Sequence, residues 1–242
     1  MSELSIPKPI SERLDELCSQ LKAALGDDLV ALLVHGSAVR GDYRKESDVD
    51  LVVVLAKAGR AQLDALAEPL HLARFAARIE AMILVADEIP RAADVFPIFY
   101  ADLQRHHVVL HGKDPFAGLV IEDHHLRLRV EQELREAQIR LRRAVTDARG
   151  NQDALRGVVG RKLKQVRSTL RVLLDLKGIA VGDGLAEVVA QACATYDVEG
   201  GPLTRLAEAP GEAHDALVAL LDRAIDDADR MADAAPGPEK AP

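Results

Sequence analysis

The chain has 242 residues, 48% of them hydrophobic but only 3% aromatic, and a net charge of −8. That length supports a substantial core in one large or two small domains, and the absence of tryptophan leaves the core to Leu, Val and Ala. No apolar run approaches the roughly 20 residues that span a bilayer, MSELSIPKPI lacks a charged-then-apolar leader pattern, and Cys18 and Cys193 lie too far apart to suggest a metal or disulfide framework, so a cytoplasmic protein with two packing thiols is expected.

Charge is uneven along the chain. Lys and Arg number 13 against 18 Asp and Glu over residues 1–121, 14 against 8 over 122–177, and 4 against 13 over 178–242. A basic segment within an acidic protein suits the phosphates of a small molecule better than a broad nucleic-acid surface.

Taken in order, Ser11 is a candidate N-cap for a helix with Leu14, Leu17, Leu21 and Leu25 on one face and Gly26 as its stop. Leu29–Val34 and Val49–Leu55 are continuous apolar runs, the signature of strands buried on both faces. Residues 60–77 read as an amphipathic helix that Pro69 kinks or breaks, and Ile79–Val85 reads as a third strand. A short helix or turn enters through Pro90, Pro97 argues against a central strand at 95–100, and 107–110 reads as a short strand. From Glu122 the period becomes helical, with long helices over 123–149 and 153–176. Two short helices follow between 185 and 231, separated by Gly200-Gly201-Pro202, and residues 234–242 are Pro/Ala-rich. The expectation is an α+β fold with a mixed-sheet domain over 1–118, a helical bundle over 119–232 and a disordered tail over 233–242.

Two aspartates open the second strand. Asp48 and Asp50 are two residues apart and so project to one side, a few ångströms from one another. Carboxylates that close repel unless a cation lies between them, and Mg²⁺ is the hard ion usually held by one or two carboxylates plus substrate phosphates. Ahead of them, Gly36 lets a polyphosphate approach the backbone and Ser37 adds a hydroxyl. Arg40, Arg44 and Lys45 supply counter-charge.

Gly36-Ser37, ten intervening residues, then Asp48-Val49-Asp50 resembles the signature of the nucleotidyltransferase superfamily that includes DNA polymerase beta and kanamycin nucleotidyltransferase. The whole chain is also similar to bacterial nucleotidyltransferase-domain proteins with a C-terminal helical domain, through HHVVLHGKDPF and HLRLRVEQELREAQIRLRRA. The resemblance implies that Gly36 and Ser37 hold the phosphates of an NTP, ATP by preference, and that Asp48 and Asp50 bind Mg²⁺. It implies a third metal carboxylate on the neighbouring strand, for which Glu80 is the candidate and Asp87 and Glu88 compete. It implies a general base from the helical domain, Glu131 or Glu133, and helical-domain cations over the triphosphate, Lys164 or Arg167. The acceptor would be a hydroxyl of a small molecule such as an aminoglycoside, or of a protein, lying between the two domains, and related transferases form homodimers.

Other readings compete with this one. Adjacent histidines, His106-His107 and His124-His125, cannot form a zinc face by themselves. Lys164, Arg167 and Arg171 share a helix face that would serve equally as solvated surface. A ribonuclease of the helical class needs an arginine four to six residues before a histidine, and after Arg127 the only histidine is His214, with Arg205 nine residues ahead. A nucleotide sensor or antitoxin-like protein that keeps the fold without catalysis is the alternative from another class.

Overall fold

A computed structural model describes residues 4–234, with side chains described to 231. The chain divides into two compact units at Ile121/Glu122. The proposed tail lies outside the described residues, apart from positions 233 and 234, which end the last helix.

In the first unit, helix α1 (Lys8–Leu25) leads into strand β1 (Leu29–His35), a single turn α2 (Ser37–Arg40) and strand β2 (Val49–Leu55). Helix α3 (Arg60–Ala77), strand β3 (Ile79–Val85), a short α4 (Ile89–Ala92), α5 (Pro97–Arg105) and strand β4 (His107–Gly112) complete it. The sheet order is β3-β2-β1-β4, with β2 and β3 parallel and the other pairs antiparallel. The two central strands are covered on both faces, which is why their sequences are unbroken apolar runs. Leu32, Val34, Leu51, Val53 and Leu55 pack with α1 and α3 on one face. Ala31, Leu33, Val52 and Val54 pack with Ile89, Tyr100, Leu103 and Phe116 on the other.

Two helix expectations in this unit need correction. Helix α1 begins at Lys8 with Pro7 at its N-cap, so Ser11 is an interior residue; proline carries the φ that a helix start needs. Pro69 sits inside α3 without dividing it, so one backbone hydrogen bond is forgone where packing of Leu66, Ala73 and Ala77 holds the helix together. Pro97 does exclude a central strand, as expected, and is the first residue of α5. A β-bulge lies between β1 and β4, where Leu32 faces His111 but Leu33 faces Val109, leaving Leu110 as the extra residue.

The second unit is all helical: α6 (Asp123–Ala148), α7 (Gln152–Leu176), α8 (Leu185–Thr195), α9 (Gly201–Thr204) and α10 (Pro210–Ala234). The last helix has 25 residues and is not the short helix expected; Leu217, Leu220, Leu221, Ala224, Ile225 and Ala228 give it a continuous buried stripe. Helices α6, α7 and α10 pack mutually, and α8 packs on α7. Asn151 caps α7 by accepting from the Ala154 N–H at 2.9 Å.

A buried carboxylate ties this bundle together. Asp227 is 9% exposed and accepts from Lys177 Nζ at 2.7 Å and from the Tyr196 hydroxyl at 3.0 Å. Burial opposes its ionisation, but the Lys177 and Tyr196 contacts outweigh that and hold the carboxyl below the usual range. A depressed folded-state pKa contributes stability above the unfolded carboxyl pKa, which is lost as pH falls through the folded value. Asp227→Asn should therefore lower stability by about 2–4 kcal/mol at pH 7, and chemical denaturation repeated in acid should show the gap between variant and parent closing.

Candidate active site

Four polar side chains form one row across the sheet. The register pairs Glu80 with Asp50, Asp50 with His35 and His35 with His107. Laterally paired residues share a face, and Asp50 alternates with Val52 and Val54, so the row continues the face packed by α4 and α5. It lies where β1 ends and β2 and β3 begin.

The turn after β1 is built around Asp50. Gly36 has φ 74° and ψ −147°, and its carbonyl accepts from the Val39 and Arg40 N–H groups at 3.1 and 3.0 Å, starting the single turn α2. A Cβ at Gly36 would stand 2.2 Å from Asp50 Oδ2. The carboxylate therefore occupies the space that any other residue's side chain would fill. Close approach of a phosphate is the reason for glycine read from the sequence; seating the Asp50 carboxylate is a second reason, visible only in the fold.

Asp50 is electrostatically strained. Burial raises its pKa, with Asp48 and Glu80 adding to the rise while His35 and Arg40 oppose it. Burial likewise lowers the pKa of His35, against the pull of Asp50 and Asp102. The His35 Nδ1 is buried without a hydrogen-bond partner, and its ring stands edge-on to Phe99 at 6.4 Å between centroids. Sequence reasoning missed His35; its available signal was its place at the end of β1, directly before the glycine turn.

The other two carboxylates each already face a cation. Arg78 Nε donates to Asp48 Oδ1 at 2.8 Å, and Arg74 Nε lies 2.9 Å from Glu80 Oε1. Both arginines come from the end of α3, and Arg78, its C-cap, is held at φ 54°. Among the described residues no three His, Cys, Asp or Glu side chains converge on a point that could hold a metal ion. Asp48, Asp50 and Glu80 thus share one end of the sheet but are not gathered into a single ligand set. Their chemistry suits a hard divalent cation, because each is an oxygen donor that attracts positive charge. The two guanidinium pairs are half-exposed, so they are weak contacts that a divalent ion can displace.

Ser37 opens α2 beside Gly36. Arg40 is mostly buried and pairs with Asp102 at 3.5 Å and Asp42 at 3.6 Å. Arg44 lies in the following loop and lines, with Tyr43, Lys45 and residues 4–7 and 10, a separate cavity of about 500 Å³.

The candidates on the helices belong to the second unit. Glu131 accepts from Arg127 at 3.0 Å and Arg135 at 2.9 Å, and the Arg135 hydrogen bond leads in holding its carboxyl below the usual range. A carboxylate so stabilised is a weak base. Glu133 accepts from Arg129 at 2.9 Å and from the Thr169 hydroxyl at 2.7 Å. Arg167 donates to the Asp183 carbonyl at 2.6 Å, and Arg171, 6% exposed, pairs with Asp175 and Asp183. Lys164 is exposed. The basic face of α7 is thus partly occupied in anchoring residues 175–183.

The glycine turn, the paired aspartates and the neighbouring glutamate coincide with a family match: residues 11–105 fit the model of the nucleotidyltransferase domain. The first unit is a nucleotidyltransferase domain. A Methanocaldococcus jannaschii protein that carries the name protein adenylyltransferase is 35% identical over 57 residues, which are 24% of this chain and 39% of that one. The aligned stretch thus spans about two fifths of that relative. Among solved structures, spectinomycin adenyltransferase AAD(9) from Enterococcus faecialis, crystallised with ATP and spectinomycin, is similar with a TM-score of 0.55. That likeness covers 88% of this chain and 98% of the other at 13% identity, and it speaks for the fold. The nucleotidyltransferase domain and the helices after it together make an α+β protein. Among the described residues no helix is long and apolar enough to cross a membrane.

Proposed function

We propose that the protein transfers a nucleoside monophosphate, AMP by preference, from an NTP to a hydroxyl acceptor. The observation that carries this reading is the Asp50 carboxylate seated against Gly36, with Glu80 beside it in register. The acceptor oxygen forms a bond to the α-phosphorus, the bond from that phosphorus to the α–β bridging oxygen breaks, and pyrophosphate leaves.

Asp48 and Asp50, with Glu80 once Arg74 releases it, would hold Mg²⁺, which supplies charge neutralisation and a lowered pKa for the attacking hydroxyl. Gly36 and Ser37 position the phosphates at the turn. Arg40, held by Asp102, sets positive charge beside the row, and His35 fills the space behind Asp50 with a group that burial keeps neutral. Glu133 is a better candidate base than Glu131, whose two guanidinium contacts oppose proton uptake. Lys164 and Arg167 remain candidate phosphate cations, Arg167 at the cost of its Asp183 contact.

Names among the similar proteins support two acceptor classes, an aminocyclitol antibiotic such as spectinomycin and a protein hydroxyl. Pyrophosphate release should be measured from each of the four NTPs with Mg²⁺, against a panel of such antibiotics and cell-extract proteins. Release that depends on one acceptor supports the transferase. Nucleotide binding without release under any condition supports a non-catalytic sensor, a second reading favoured by the guanidinium groups that already neutralise Asp48 and Glu80.

A further inference from the structure

The face that carries the carboxylate row also carries a cavity of about 500 Å³ at the edge strand β3. Its size is that of a small-molecule pocket. We propose that this cavity, lined by Met82, Leu84, Glu88, Phe96, Phe99 and Tyr100, receives the base of the nucleotide, with the Glu88 carboxylate accepting from an exocyclic amino group.

Two observations point to a flat aromatic guest. The chain has four phenylalanines, three tyrosines and no tryptophan, yet two of those phenylalanines and one tyrosine meet here. Core packing accounts for Tyr100 and Phe99 but not for Phe96, 49% exposed, or Met82, 40% exposed, which leave the cavity an open apolar face. Such faces suit stacking on a base, and a polarizable thioether adapts to it.

Continuity with the catalytic row supplies the second argument. Met82 lies two residues beyond Glu80 on the same face of β3, about 7 Å along the strand, a gap that one ribose bridges. Phe99 touches both ends, since it lines the cavity and stands edge-on to His35, the register partner of Asp50. A nucleotide whose phosphates lie at Gly36 and Asp50 thus has an apolar slot within reach of its base.

Glu88 is the charged member of the lining, and its charge is felt at Tyr100, whose phenol is raised by burial first and by Glu88 second. A carboxylate can accept from the amino group of adenine but repels the carbonyl that replaces that group in hypoxanthine. The cavity therefore favours ATP over ITP.

This inference rests on the transferase reading, and binding measurements separate the two. Calorimetric titration with ATP, ITP and inorganic triphosphate, in Ca²⁺ to suppress turnover, should be run on the parent, Phe96→Ala and Glu88→Gln. Phe96→Ala is expected to weaken ATP about ten-fold and leave inorganic triphosphate unchanged, and Glu88→Gln to erase the ATP preference over ITP. Half-exposed Phe96 can be truncated without opening the core. Unchanged ATP binding in both variants, or an equal loss of triphosphate, would overturn the base pocket and leave the transferase reading standing. Failure of the parent to bind ATP or triphosphate would overturn both.

Discussion

Replacing Asp48 and Asp50 together with asparagine should reduce NMP transfer by roughly 10³-fold or more, since the reaction loses the charges proposed to hold its cation. The fold should survive. Asp48 is half-exposed and, among the described residues, pairs with a half-exposed arginine, while Asp50 is a carboxylate that burial makes costly to ionise. Its raised pKa means that, without metal, its contribution to stability is present at low pH and lost as pH rises through its folded value. The metal-free double variant should therefore match or exceed the parent in Tm at pH 7, with any advantage shrinking toward pH 4. Pyrophosphate release and thermal melts across that pH range check both halves. Undiminished release would place the chemistry elsewhere, and a collapsed Tm would mean that the carboxylates hold the sheet end together.

Gly36→Ala should be nearly as damaging, for a reason separable from backbone strain. Gly36 is held at φ 74° and ψ −147°, a region essentially reserved for glycine that costs a residue with a Cβ about 1–3 kcal/mol, and here the added methyl would also collide with Asp50 Oδ2 at 2.2 Å. Either the turn or the carboxylate must move, and a displacement near 1 Å in a reacting site costs on the order of 10²-fold in rate. Gly41 supplies the control. It has φ 85° and ψ 9°, the left-handed region that alanine enters at about 1–2 kcal/mol, with nothing within 4 Å of an added Cβ, so Gly41→Ala carries a positive-φ strain without the collision. Gly36→Ala should lose more stability than Gly41→Ala in denaturant titrations, and kcat/KM should fall about 10²-fold in Gly36→Ala but only a few-fold in Gly41→Ala. Equal losses of rate would remove the Asp50 contact from the explanation.

Local sequence determined the strands and the motif. Leu29–Val34 and Val49–Leu55 could be read without a structure because a strand covered on both faces must be apolar throughout, a rule that needs no partner to be known. The glycine turn and the two aspartates were legible for a similar reason, since a missing side chain and carboxylates two residues apart are local properties. Periodicity likewise marked α6 and α7, where Val130, Leu134, Ala137 and Leu141, then Val159, Leu163, Val166 and Leu170, are buried at threes and fours.

Tertiary structure decided what pairs with what. His35 joins the site through the register that sets it beside Asp50, and Glu80 through parallel pairing of β3 with β2. Arg74 and Arg78, unremarkable on a helix surface, become the counter-charges of Glu80 and Asp48 because α3 ends where β3 begins. Glu131 and Arg167, open candidates in the sequence, are committed to contacts within their own unit. Pro97 does disfavour a strand, but that rule leaves helix and loop open, and only the packing of Ile98, Tyr100 and Leu103 selects the helix. Local sequence carries conformational preference and residue chemistry, while the electrostatics of a site depend on charges brought together from distant positions, so the motif could be read from the chain and its wiring only from the fold.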